Sequence, residues 1–147
     1  YVIIDSPPGI TPDVESIIKC CGEVIVVTTP DIPSATAAAK IVHLARENNT
    51  TVSGILLNRV ENAFYELSRK EVESITENRI LGIVPEDAAV PESIGMRIPV
   101  TLFKPNSLAS QRLRQVAANL TSQRLYEEHK GILERVIEFL QGLIPKI

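Results

Sequence analysis

Short unbroken apolar runs and longer stretches of helical period take turns along this chain. The runs at residues 1–4, 24–29, 51–58 and 80–84 each stop at polar or proline residues. Runs of that length without alternation predict strands buried on both faces, as in a parallel sheet. Between them, Thr11 or Asp13 can cap a short helix reaching about residue 19. Ser34 can cap a second helix over 35–48, whose Ala38, Ile41, Val42 and Ala45 share one face. A polar helix over 63–77 carries Leu67, Val72 and Ile75 as its stripe, and a short one covers 90–96. Residues 99–103 read as a short fifth strand at the sheet edge, opened by Pro99. A long helix starts at Leu108 and runs to Tyr126 or beyond. Strands that alternate with helices give right-handed crossovers, so the fold class is α/β, a parallel sheet with helices on both faces.

The first run ends in Asp5, followed by Ser6-Pro7-Pro8-Gly9. The prolines cannot continue a ladder, so the chain leaves the sheet there. An acid at that place suits a magnesium-holding carboxylate at the carboxyl edge of a sheet. Gly9 allows a backbone N–H to approach a bulky anion. An ordinary Asp turn after a buried strand fits these nine residues equally well.

Other strands end in polar groups too: Thr29-Pro30-Asp31, Asn58-Arg59 and Pro85-Glu86-Asp87. Asn58 offers both acceptor and donors, which match the edge of adenine. Arg59 can lie over a base or meet phosphate. Pro85 can pack on a ring face, and Asp87 can accept from base or ribose. Taken singly, these are turn and helix-start residues. Taken together along one edge, they make a candidate nucleotide site.

Composition narrows the field. At 147 residues and 44% hydrophobic, the chain can bury a sizeable core. A net charge of −3 and the absence of any basic run disfavour direct nucleic-acid binding. Aromatics make up 4%, so the core is Ile, Val, Leu and Ala. Cys20 and Cys21 are neighbours, which suits neither a disulfide scaffold nor a zinc or iron–sulfur site and fits a reducing cytosol. His43 and His129 read as solvated helix residues.

From residue 1 to about 120 the sequence resembles the MinD/ParA family of P-loop ATPases, and within it archaeal MinD-like proteins. The likeness rests on Val2-Ile3-Ile4-Asp5-Ser6-Pro7-Pro8-Gly9, Val26-Val27-Thr28-Thr29-Pro30, Gly54-Ile55-Leu56-Leu57-Asn58-Arg59-Val60, Leu81-Gly82-Ile83-Val84-Pro85-Glu86-Asp87 and Ile98-Pro99-Val100, in family order. The resemblance implies that Asp5 is the Walker B residue holding Mg²⁺ through water. It places the Gly9 amide toward the γ-phosphate, and Asn58, Arg59, Pro85 and Asp87 on the adenine side. The family's lysine- and glycine-rich Walker A loop has no match in these residues, and its switch I aspartate is expected upstream. The P-loop strand, which the family sets between the Walker B strand and the strand matched by 24–29, is missing. The expected arrangement is therefore the distal part of a P-loop ATPase domain over 1–120, then a C-terminal helical extension over 121–147.

By the same resemblance the protein is an ATPase switch that binds Mg-ATP, forms a homodimer, answers to a regulatory or activating protein and positions a cellular structure. The alternative is a truncated, non-enzymatic interaction module. An iron–sulfur scaffold of the related Mrp type is weaker, because no C-x-x-C occurs.

In the extension, residues 131–144 gather their apolar side chains in one arc, with Glu134, Arg135, Glu138 and Gln141 opposite. Interfacial helices favour Lys and Arg on the polar face. Here acids balance the bases, so packing on the domain or on another protomer is favoured slightly over a peripheral contact with the inner face of the cell membrane. The expected location is the cytoplasm.

Overall fold

The computed structural model describes residues 1–121. Glu23–Thr28 forms β1, Thr51–Val60 forms β2 and Ile80–Pro85 forms β3. They pair in the order β1-β2-β3, all parallel. Parallel neighbours need a crossover between them, and the chain supplies helices there. Pro12–Cys20 is α1, Ile32–Glu47 is α2 and Arg69–Thr76 is α3. Ala89–Met96 is α4, Val100–Phe103 is α5 and Leu108–Thr121 is α6.

Helix starts follow from capping. Thr11 accepts from the N–H of Val14, with Pro12 at the first helical position. Asp31, not Ser34, caps α2, its carboxylate accepting from the N–H of Ser34 at 2.9 Å. The polar helix is shorter than the 63–77 stripe suggested, because Ser68 and Glu71 close a reciprocal capping box that sets its start.

The core lies between the sheet and α2 with α3. Val26, Ile55, Leu57 and Ile80 of the strands meet Ala38 and Val42 of α2 and Val72 of α3. A smaller cluster of Val14 and Ile18 with Ala45 holds α1 against α2. On the opposite face α6 covers β3: a Cβ on Gly82 would collide with the Val116 side chain, so the helix sits too close for any side chain there. Helices thus occupy both faces, as expected. Cover is incomplete over β1, where Ile25 and Val27 stay 41% and 57% exposed.

Two expected elements are not what forms. Residues 1–4 adopt no regular structure, and Tyr1, Val2 and Ile3 are more than 90% exposed. A strand is made by pairing rather than by apolar character alone, and among the described residues nothing pairs with this segment. Residues 99–103 form α5 rather than a fifth strand. Pro99 opens it, with Leu102 and Phe103 donating their N–H groups to the Pro99 carbonyl. A proline suits the start of a helical turn as well as a strand edge. The stretch 131–144 lies outside the described residues.

Candidate functional site at the carboxyl edge of the sheet

The strands end side by side: Thr28-Thr29, Asn58-Arg59 and Pro85-Glu86-Asp87 follow one another across the carboxyl edge. α1 runs back to the start of β1 through Cys21-Gly22, so its first residue and the Gly9 before it belong to this same edge. Asn58, Arg59, Pro85 and Asp87 lie at the ends of β2 and β3 on this edge, whereas Asp5 lies in the exposed irregular segment before Gly9 and α1, with no contact among the described residues that ties it to the strand ends.

Local backbone irregularity shapes the second group. Leu57 pairs with Ile83 and Val60 with Pro85, so β2 carries one residue more than β3 across this interval. That is a β-bulge at Asn58-Arg59, and Arg59 takes a positive φ of 58° to make it. Bulges next to functional sites re-aim side chains. The exposed Arg59 guanidinium turns toward β3 and donates to Glu86 at 2.8 Å. The Glu86 carboxylate raises the guanidinium's already high pKa, first by hydrogen bonding and then by charge. Asn58 is half-buried on the same bulge, and its side-chain amide makes no hydrogen bond among the described residues.

Asp87 is already engaged. One carboxylate oxygen accepts from the N–H of Ala89 at 2.9 Å and the other from the N–H of Ala109 at 3.0 Å. These two backbone donors, Ala109 first, hold its carboxyl below the usual value. Each oxygen keeps a further lone pair, so a base or ribose contact is not blocked. The first role of Asp87 here is nevertheless to tie the starts of α4 and α6 to the end of β3.

At the end of β1, Asp31 accepts from the Thr29 hydroxyl at 2.5 Å as well as from Ser34. Burial works to raise its pKa, but these hydrogen bonds outweigh it and the net shift is downward. The loop after β2 folds back over this edge, with the N–H of Leu67 donating to the Pro30 carbonyl at 2.8 Å.

Asp5 and Gly9 are exposed, and Gly9 has φ +87° with open space around its Cα. A single carboxylate suits Mg²⁺, which keeps most of its waters and takes one or two protein acids. Among the described residues no cluster of three or more metal-ligating side chains exists that would suit a closed metal cage. Asp5 alone would supply one carboxylate to a magnesium shell and leave its other positions to water and phosphate. Glu86 and Asp31 stand among the polar strand ends in the sequence but were given no individual role there. The ion pair of Glu86 with Arg59 spans 27 positions and leaves no local signal, whereas the spacing Asp31-x-x-Ser34 is a readable helix cap.

Known proteins resemble this chain in sequence and fold. Residues 1–121 match a family model described as ParA, NUBPL iron-transfer P-loop NTPase. An uncharacterized ATP-binding protein of Methanocaldococcus jannaschii is 34% identical over 146 residues, covering 99% of this chain and 55% of that protein. The chloroplastic septum site-determining protein MinD homolog of Arabidopsis thaliana is 30% identical over 127 residues, covering 84% of this chain and 39% of its own. The crystal structure of the cell division ATPase MinD from Pyrococcus furiosus superposes with a TM-score of 0.75 at 25% identity, covering 80% of this chain and 50% of that one. The chain therefore spans about half the length, or less, of the relatives it matches.

Proposed function

Because this chain belongs to the ParA/MinD family of P-loop NTPases, we propose that it carries the base-gripping half of a Mg-ATP-driven switch. In this reading residues 1–120 are the distal part of a larger P-loop domain and 121–147 a C-terminal extension. The exposed Ile25 and Val27 on β1 support it, since an α/β sheet ordinarily covers both faces.

The observation that carries the proposal is the bulge at Asn58-Arg59, set level with Pro85 at the carboxyl edge. It leaves the Asn58 amide without a hydrogen bond among the described residues, on the strand next to the one that ends in Pro85, which suits a planar base. Asn58 would read the base edge, Pro85 would lie against its face, and the Arg59–Glu86 pair would close the far side. Asp87 would hold the loop that carries Pro85 and can lend a remaining lone pair to base or ribose. Asp5 would hold Mg²⁺ through water, and the Gly9 amide would face the terminal phosphate. Bound Mg²⁺ would neutralise phosphate charge during hydrolysis.

The whole protein would dimerise on ATP, hydrolyse it slowly and respond to a regulatory or activating protein. Its output would be the placement of a cell division site, a chromosome or a polar assembly, from the cytoplasm. Iron transfer, which the family model's description mentions, draws less support here. Cys20 and Cys21 are adjacent, with Cys20 closing α1 and Cys21 capping it, a poor spacing for shared ligation.

Asp5→Ala in the complete gene product tests the switch. Mg²⁺-dependent hydrolysis should be lost while ATP binding is partly kept; unchanged turnover would remove Asp5 from the site.

A further inference from the structure

The loop between β2 and α3 carries two aromatic side chains out into water: Phe64 is 99% exposed and Tyr65 69%. Their rings meet edge to face, with centroids 5.4 Å apart and planes at 78°. The loop beneath them is fastened. The Glu66 carboxylate accepts from the N–H groups of Glu61 and Ala63 at 3.0 and 3.1 Å, and the Leu67 N–H donates to the Pro30 carbonyl at 2.8 Å. The Tyr65 hydroxyl donates to the Glu61 carboxylate at 3.2 Å, which sets the ring. Exposed aromatic rings on a fixed loop lose little conformational freedom on binding, so they suit an anchor point for a partner.

Charge indicates which partner. Residues 61–67 hold two acids, Glu61 and Glu66, and no base. Around them Arg59 is paired with Glu86, and α3 sets Arg69 and Lys70 against Glu71 and Glu73, so neither offsets the loop. The acids act on Tyr65, whose pKa Glu61 raises, first by charge and then by hydrogen bonding. The second Glu61 oxygen accepts no hydrogen bond among the described residues. We propose that Phe64, Tyr65 and Glu61 form a docking point for an arginine-bearing basic segment of another protein. The arginine guanidinium lies on an aromatic face and pairs with the Glu61 carboxylate. The same acids repel the phosphates of nucleic acid and of anionic lipid. They also disfavour a second copy of this chain, because in a two-fold contact like patches meet and the acids would face each other. No residue assigned to nucleotide or magnesium takes part, so the docking point stands apart from that site.

Titration calorimetry of the complete gene product with an acetylated peptide of repeated Arg-Gly-Ser tests it. The unaltered protein should bind the peptide. Phe64→Ala, which changes no charge, should weaken binding about 2- to 5-fold with the thermal midpoint unchanged. Glu61→Gln, which can still accept from Tyr65, should weaken it more than Glu47→Gln, which removes the same charge from α2. Absence of binding by the unaltered protein would overturn the proposal. Equal affinity in Phe64→Ala would overturn it too, since attraction by net charge alone would then remain. If Phe64→Ala instead breaks a dimer in sedimentation, or abolishes co-sedimentation with phosphatidylserine vesicles, the rings belong to a second copy or to lipid and the proposal falls.

Discussion

The Asp87 carboxylate accepts from the backbone N–H of Ala109, 22 residues further on, at 3.0 Å, while its other oxygen takes the N–H of Ala89. One side chain at the end of β3 thereby fixes where two helices begin. Helix N-termini carry unpaired donors and partial positive charge, which is why an acid serves there. Asp87→Ala should lower the thermal midpoint, and Asp87→Asn, which can still accept one of the two bonds, should lower it less. Thermal melts followed by circular dichroism at neutral pH distinguish the three proteins.

The pH dependence follows from the same bonds. Asp87 is held low by Ala109 and Ala89, and Glu73 by the Ile80 N–H and then Arg69. Glu71 is held low by Ser68. Each is a carboxylate whose folded pKa lies below its unfolded one, so its stabilisation is fully present above the unfolded value and lost as pH falls through the folded value. Stability should therefore fall at pH below about 4. Glu73→Gln should flatten that acid limb, as measured by chemical denaturation at stepped pH.

Gly82 lies under Val116 with no room for a Cβ. Gly82→Ala should cost about 1–3 kcal/mol by forcing α6 away from β3. Gly82→Ala combined with Val116→Ala should cost less than the sum of the two single changes, because the second removes the atoms the first strikes. A double-mutant cycle of urea midpoints measures the coupling.

At the proposed base site, Asn58→Ala in the complete gene product should weaken ATP binding about 2- to 10-fold, the value of one net hydrogen bond. The thermal midpoint should hold, since the Asn58 side chain bonds nothing among the described residues. Titration calorimetry with ATP and with GTP checks both the loss and whether base preference narrows with it.

The isolated 147-residue chain should unfold over a broad range and bind an apolar dye, because Ile25 and Val27 stay open to water. A sharp, monomeric, two-state transition by circular dichroism would contradict the assignment of these residues to a larger domain.

Element type was legible wherever apolar runs were long and their stops explicit. The strand expected at 80–84 ends one residue later, and the helix expected at 90–96 begins one residue earlier. Where two local signals competed, the choice depended on partners that a sequence does not display. Residues 1–4 have the composition of a strand and nothing to pair with among the described residues. Pro99 can open either a strand or a turn of helix, and its carbonyl took the helical bonds. At the candidate site, the residues at the strand ends were readable but their engagements were not. Nothing in the local pattern told that Asp87 would be clasped by Ala109, or that Glu86 would occupy Arg59, because both depend on chain segments meeting from a distance.

The strand tips owe their alignment to two irregularities that cancel. From Ile55 to Leu57, β3 advances one residue more than β2; from Leu57 to Val60, β2 advances one residue more than β3. Ile55 opposite Ile80 thus becomes Val60 opposite Pro85, five steps along each strand, as on a vernier read back to zero. Removing one residue from either irregularity would offset the tips by about 3.3 Å and turn the following side chains to the other face. Removing one from each would bring Asn58's neighbours and Pro85 back into step. The spacing of this edge is therefore a property of the two strands jointly, and insertions or deletions in one are tolerable only when the other answers them.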